Sequence, residues 1–323
     1  MGTPLPQPPR LPDQKEHMST DRPPRSSNPA ASNRSLKDRI RNETTPRGRS
    51  TEQLRREFFL QRFLARVFSE PGEHWLLKGG ASLLVRRPDA RYSQDIDLLH
   101  TSAAVADAVS ELVAIAETDS DLDPFRFVFD PPRLMTGGVS GASVKVKVYL
   151  GAVQLADFPI DLSTELVPVG DVDYQLPRPV VEMDELAPMP KFALYPLPQQ
   201  VSDKVCAMYE RYGDLQQPST RYHDLVDLTL IVTAWTLDAA LTRTALQRES
   251  ARRTLTLPTN LAVPAPSWTD GYTKIAKTVP GLPEHARGID GALRIVGQCL
   301  DPLLGRHLDT GTWNPIESNW STQ

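Results

Sequence analysis

The chain has almost no cysteine. Cys206 and Cys299 are the only two in 323 residues, and neither sits in a Cys-x-x-Cys or Cys/His cluster. That spacing excludes a disulfide scaffold and a structural zinc site, and a reducing cytoplasm is the expected compartment. Long apolar runs are also missing. None approaches the ~20 residues a membrane span requires, and the amino terminus has no apolar core of a signal peptide, so no membrane association is expected. Residues 1–50 have few aliphatic side chains and are rich in Pro, Arg, Ser and Asn. Such a stretch cannot offset its ordering entropy by burying apolar surface, so disorder is expected there. Positive charge is scarce outside that tail. Residues 1–50 carry ten Lys/Arg against five Asp/Glu, and the rest carries 26 against 35. An acidic body excludes bulk non-specific nucleic-acid binding, although local basic patches stay possible. The basic tail could assist RNA or partner binding, or be an unselected extension.

What is present begins near Thr51. Leu54, Phe58, Phe59, Phe63, Leu64 and Val67 recur at helical spacing, ending at Pro71-Gly72. Trp75-Leu76-Leu77 reads as a short buried strand, followed by Lys78-Gly79-Gly80 and a short helix to Arg86. Gln94–His100, the alternating Phe125, Phe127 and Phe129, residues 143–150 and residues 154–162 read as further strands. Past a Pro-rich acidic connector, helices are predicted over 201–212, 221–236, 237–253, 272–277 and 286–304. The expected class is α+β: a mixed-sheet core over 51–195, then an all-helical domain over 196–323.

Three features carry chemistry. Lys78-Gly79-Gly80-Ala81-Ser82 sits at a strand-to-helix turn. Glycines there allow a ligand close to the backbone, and helix-start amides favour phosphate. The Ser82 hydroxyl could add a hydrogen bond, while a plain turn explains a Gly-Gly pair equally simply. Asp95-Ile96-Asp97 places two carboxylates on one face of a strand. Like charges that close call for compensation, and a hard divalent cation, Mg²⁺ or Mn²⁺, supplies it. Asp161 closes a later strand where it could join the pair, as two-metal phosphoryl chemistry requires. It could instead cap the turn into Leu162-Ser163, and Asp157 competes for the same role. Lys145 and Lys147 project from one side of their strand, either toward RNA phosphates or simply toward solvent.

Together these features resemble the DNA polymerase β-like nucleotidyltransferases. Leu-Leu-Lys78-Gly79-Gly80-Ala-Ser82-Leu followed by Arg91-Tyr-Ser93-Gln-Asp95-Ile-Asp97-Leu resembles the AbiEii/AbiGii toxin family, including its MenT-like members. That family commonly reads Lys-Gly-Gly-Thr-Ala-Leu, so the hydroxyl of Ser82 is displaced by one residue. Ser202-Asp203-Lys204, Arg211 and Arg221-Tyr-His223-Asp224-Leu-Val-Asp227-Leu resemble its later helices, with His223 where Arg is frequent. The resemblance covers roughly residues 55–235.

It implies an NTP-dependent toxin of a bacterial toxin–antitoxin pair with a winged-helix antitoxin. Its expected reaction is metal-dependent nucleotidyl transfer to RNA, with the tRNA acceptor end as target and a block of translation as outcome. By the same resemblance, Asp95, Asp97 and Asp161 hold metal. Lys204 contacts nucleotide phosphates, and Asp224 either orients Lys204 or acts near the nucleophile. Lys78, Gly79, Gly80, Ser82, Ser93 and Arg211 border the nucleotide. A modification of Ser93 would put negative charge beside the carboxylates and inhibit. Lys204 and Arg211, seven apart, would share one helix face. The alternatives are transfer to a small molecule or protein hydroxyl, or a binding module without catalysis. Retention of Asp95, Asp97, Asp161 and Lys204 together argues against the last.

Overall fold

The computed structural model describes residues 29–69, 74–118, 121–135 and 140–321. The expected helix stop at Pro71-Gly72 and the tail before residue 29 lie outside the described residues. In chain order the front half runs α1 (Pro29–Arg47), α2 (Thr51–Val67), β1 (Trp75–Lys78), α3 (Gly79–Arg86), β2 (Ile96–His100) and α4 (Val105–Glu117). Strands β3 (Arg126–Phe129), β4 (Arg133–Leu134), β5 (Gly141–Leu150), β6 (Val153–Thr164), β7 (Asp173–Gln175) and β8 (Phe192–Leu194) follow. The sheet order is β3-β5-β6-β2-β1-β8-β7, with β4 pairing β5. β2 runs parallel to β6 and β1 parallel to β8, while the other pairs are antiparallel. The protein is therefore an α+β fold on a mixed sheet.

Helix α2 starts where a capping box can form: Ser50 accepts from the Gln53 amide, and the Gln53 side chain accepts from the Ser50 amide. Its apolar face packs on one side of the sheet. Phe63 meets Phe127 and Phe158 edge-on, and Phe58 and Phe59 meet Phe125 in the same way. The buried side chains of Leu77, Ile96, Leu98, Ile160 and Leu162 join that cluster, so the residues alternating with them face the other way.

The expectation of disorder over residues 1–50 fails from Pro29 onward. Helix α1 buries Leu36 and Ile40, which are 3 % and 0 % exposed. Polar residues fasten the rest: Arg39 donates to the Glu182 carbonyl, and Arg47 to the carbonyls of Pro179 and Val180. Mean hydropathy missed this helix because two apolar residues four apart and a few guanidiniums hold it, not a wide apolar stripe.

The rear half comprises α5 (Leu197–Tyr209), the hairpin β9 (Arg211–Tyr212) and β10 (Gln217–Pro218), and α6 (Tyr222–Ala234). Then come β11 (Leu237–Asp238), α7 (Ala239–Arg252), α8 (Trp268–Ala276), α9 (Ile289–Leu304), β12 (Thr312–Asn314) and β13 (Asn319–Ser321). A second apolar cluster holds these helices together around Leu228, Trp268, Tyr272, Val296 and Trp313, and it takes in Leu83 and Leu84 of α3. The two buried indoles are satisfied: Trp268 donates to the Ser219 carbonyl and Trp313 to that of Val232, each at 2.7 Å. Short strands β9 to β13 supplement the helices.

Candidate active site

Strand register assembles the site. Lys78 on β1 lies opposite Asp97 on β2, and Asp97 lies opposite Asp161 on β6, which in turn faces Ser143 on β5. Directly opposed residues project from the same face, so Lys78, Asp97, Asp161 and Ser143 form one transverse row on the face away from α2. Asp95, just ahead of β2, is brought beside the row. Its carboxylate accepts from Ser93 Oγ at 3.0 Å. Lys78, Asp97 and Asp161 of this row form the floor of a cavity of about 960 Å³ between the sheet and the rear helices, lined also by Asp95, Gly79, Gly80, Gln200, Lys204 and Asp224.

Gly79 has φ +61°, a conformation that side chains disfavour. A Cβ there would fall 1.8 Å from Asp97 Oδ2. The glycine is thus demanded twice, by the turn and by the acid behind it. At Gly80 a Cβ would meet Ser93 Oγ at 2.7 Å and Arg91 Nη2 at 2.8 Å. Gln200 of α5 donates to the Gly79 carbonyl at 2.9 Å, fastening the turn to the rear half. Lys78 Nζ lies 3.4 Å from Ser163 Oγ, 3.7 Å from Asp203 and 4.9 Å from the Tyr195 ring centre.

Lys204 is buried, and its ammonium lies 3.1 Å from Asp224 Oδ1 and 2.5 Å from Asp227 Oδ2. Arg91 grips Asp227 with two hydrogen bonds of 2.9 Å, and Arg221 donates to Asp224 at 2.7 Å. Burial alone would raise both acids, but Lys204 and Arg221 hold Asp224 far below the usual carboxylate range. Arg91 and Lys204 likewise lower Asp227. Burial opposes the charge on Lys204, yet Asp227 and Asp224 raise its pKa above the lysine norm. Lys204 is therefore a fixed cation. His223, desolvated beside this network, is lowered to about 4.

The acidic row behaves differently. Burial, then the adjacent charge of Asp95, raises Asp97 to about 6 against the pull of Lys78. Among the described residues, no donor or cation forms a hydrogen bond or ion pair with the Asp97 or Asp161 carboxylates. Hard oxygen donors with no directly paired protein cation are the donor chemistry of Mg²⁺ or Mn²⁺. No three His, Cys, Asp or Glu side chains among the described residues converge into a ready cage. A hard dication of this type commonly takes one or two carboxylates and completes its shell with water and substrate phosphates.

Three sequence-predicted site residues sit elsewhere. Ser82 is 0 % exposed, its Oγ has no hydrogen-bond partner, and it does not line the cavity. Helical periodicity turns it into the interior of α3. Ser93 is also 0 % exposed and does not line the cavity; it meets the site from behind, through Asp95 and Gly80. Arg211 does not share a helix face with Lys204, because α5 ends at Tyr209. It lies exposed on the β9 strand and donates to the Gln216 carbonyl. Arg91, Gln200, Asp203 and Asp227 were missed as site residues. The three-residue spacing of Asp224 and Asp227 was the signal for the last, and nothing in the pattern marked Gln200.

A mixed sheet bearing a Lys-Gly-Gly turn beside carboxylates on adjacent strands, closed by a helical half, defines a nucleotidyltransferase. The family model described as nucleotidyl transferase AbiEii toxin, type IV TA system, matches residues 62–294. The chain belongs to that family. Among solved structures it is similar to MenT4, a nucleotidyltransferase toxin from Mycobacterium tuberculosis H37Rv. The identity is 13 % and the TM-score 0.51, over 80 % of this chain and 98 % of that one. It is also similar to JHP933 from Helicobacter pylori, at 13 % identity and TM-score 0.43 over 80 % and 95 % of the two chains. No curated protein matches. Among the described residues, no helix is long and apolar enough to cross a membrane.

Proposed function

We propose that this nucleotidyltransferase moves a nucleotide from an NTP onto an RNA hydroxyl, with the tRNA acceptor end as target, and so arrests translation in the cytoplasm. The observation that carries the reading is the register that sets Lys78, Asp97 and Asp161 side by side on the cavity floor. Residues 51–195 form the catalytic domain in this reading, and 196–323 the helical domain that completes the cavity. A winged-helix antitoxin is the proposed partner.

Asp95, Asp97 and Asp161 would hold Mg²⁺ or Mn²⁺, which when bound neutralises triphosphate charge. The amides of the Gly79–Gly80 turn face the phosphates. Lys204, held by Asp224 and Asp227, has one donor left for a phosphate oxygen. Lys78 stands beside the acids as a second cation. The acceptor oxygen forms a bond to the α-phosphorus, the bond to the β-phosphate bridge breaks, and pyrophosphate leaves. The hydroxyl proton passes to a carboxylate of the row.

The test is incubation with each radiolabelled NTP, Mg²⁺ and total tRNA. Label enters RNA with the native protein and not with Asp97→Ala. Label in protein or in a small molecule, or none with any acceptor, overturns the RNA reading. Growth arrest on expression, relieved by Asp95→Ala, checks that the toxic effect is enzymatic.

A further inference from the structure

Two groups of residues, or arms, line the cavity: one comes from α5 and the Gly79–Gly80 turn, the other from the segment after α8 and the stretch before β2. Helix α6, whose N-terminus brings Arg221, His223 and Asp224 to the same lining, packs against both α5 and α8. The α5 arm holds Gln200, Asp203 and Lys204 next to the Gly79–Gly80 turn. The other arm is walled by Tyr92, Gln94, Lys277, Thr278, Pro280 and Arg287, and the proposed nucleotide contacts leave it unused. It is a built wall, not a loose loop. Arg87 donates to the Gly281 carbonyl, and the Gly281 amide donates to the Asp89 carbonyl, tying the segment after α8 to the turn before Arg91. Arg287 donates to the Ala276 carbonyl at the end of α8 and pairs with Glu284 at 2.7 Å, so it steadies the wall rather than supplying a free charge. Lys277, one residue past α8, is exposed, and among the described residues its ammonium has no hydrogen bond or ion pair. Around the cavity eight Lys/Arg stand against six Asp/Glu, a local reversal of the acidic body.

A transferase needs two substrates on opposite sides of one reacting phosphorus. We infer that the α8 arm is the acceptor site, in which Lys277, supported by Arg287, binds a backbone phosphate of the incoming RNA 3′ end and sets its terminal hydroxyl toward Asp95 and Asp97. The inference rests on the reading that the nucleotide occupies the α5 arm. Lys277 is a positioning residue: it holds the acceptor and does not touch the triphosphate.

The test uses the full chain and a 5′-fluorescent RNA stem-loop with a single-stranded 3′ end, read by anisotropy, beside the melting shift produced by Mg²⁺ with each NTP. Lys277→Glu weakens RNA binding about tenfold or more and raises the acceptor KM with little change in kcat. The NTP-induced shift stays at its native value, and Lys277→Arg binds RNA within about twofold of native. Lys274→Glu is the charge-matched control: exposed on α8 but outside the cavity lining, it changes RNA binding less than about twofold. If the native protein binds RNA and Lys277→Glu binds it equally, or if the NTP shift falls instead, the acceptor assignment is overturned while the RNA reading stands. A Lys274→Glu loss equal to that of Lys277→Glu overturns it too. Failure of the native protein to bind the RNA at all overturns both.

Discussion

At the scale of single residues, the Arg91–Asp227–Lys204–Asp224–Arg221 network carries the most consequence. Lys204, Asp224 and Asp227 are all buried, so removing one partner strands a charge away from water. Lys204→Ala should cost about 3–5 kcal/mol of stability and abolish transfer, read by urea denaturation and by the labelled-NTP assay. Lys204→Arg keeps the charge but not the compact ammonium, so it should regain stability without full activity. His223 gives a pH prediction. Its pKa falls to about 4 in the fold from an ordinary 6.5 because burial disfavours the charged ring. Between those values the unfolded chain binds the extra proton, so stability is full above pH 6.5 and declines as pH falls toward 4. Discounted for the partly exposed ring, the loss is about 1–2 kcal/mol. The difference in unfolding free energy between native and His223→Asn protein, measured at pH 4.5 and 7, isolates it from the carboxylates. A native-minus-variant difference independent of pH would refute this assignment. Lys204 and Asp224 were legible because they stood in a family-like pattern. Asp227 lay three residues on in the same quoted stretch, but no spacing rule says that an acid is buried against a lysine from another helix.

At the scale of elements, strands were easier to read than the contacts that position them. The alternation of Val144, Val146 and Val148 marked β5, since a half-buried strand leaves period two in its residues, while the continuous apolar triplet at Trp75 marked β1 as a strand buried on both faces. Register was not legible, and register is what puts Asp97 between Lys78 and Asp161. The turn at Gly79 connects the two levels. Gly79→Ala forces both a disfavoured φ and a collision with Asp97, so activity should fall more than about 100-fold, with about 1–3 kcal/mol lost. Gly80→Ala meets the Ser93 and Arg91 side chains, which are held by Asp95 and Asp227, but it imposes no left-handed backbone. Its loss should be the smaller of the two in parallel assays, and equal losses would mean that the left-handed backbone is not the cause. Helix α1 was hidden by its polar composition. Because Ile40 is 0 % exposed, Ile40→Ala should destabilise by about 2–4 kcal/mol in chemical denaturation, whereas an unpacked segment would show no change.

At the scale of the whole molecule, the sequence located two halves by their composition but not the cavity between them, because that cavity depends on contacts across 100 or more residues, as between Arg91 and Asp227. Charge is the property that has to be read at this scale. The body is acidic, and the sheet's basic strip is neutralised: Lys145 pairs with Asp157 at 3.1 Å and Lys147 with Asp130 at 2.6 Å. The strand face that could have offered RNA a row of cations therefore offers little net charge. What remains for an RNA backbone is the cavity mouth, where Lys277 stands without an ion pair among the described residues while Arg287 is paired with Glu284. Each phosphate neutralised on a single strand contributes about −0.7 to the slope of log affinity against log salt. One such contact, at Lys277, predicts a slope of about −0.7 for RNA binding. Titration of the stem-loop from low to physiological salt measures it, and Lys277→Glu should flatten the slope by about one contact's worth. A slope steeper than about −3 would transfer the binding to the basic amino-terminal residues and away from the cavity mouth. A shallow slope retained by the native protein, and reduced by that single substitution, would mean that an acidic protein admits RNA only at the point where its chemistry is done.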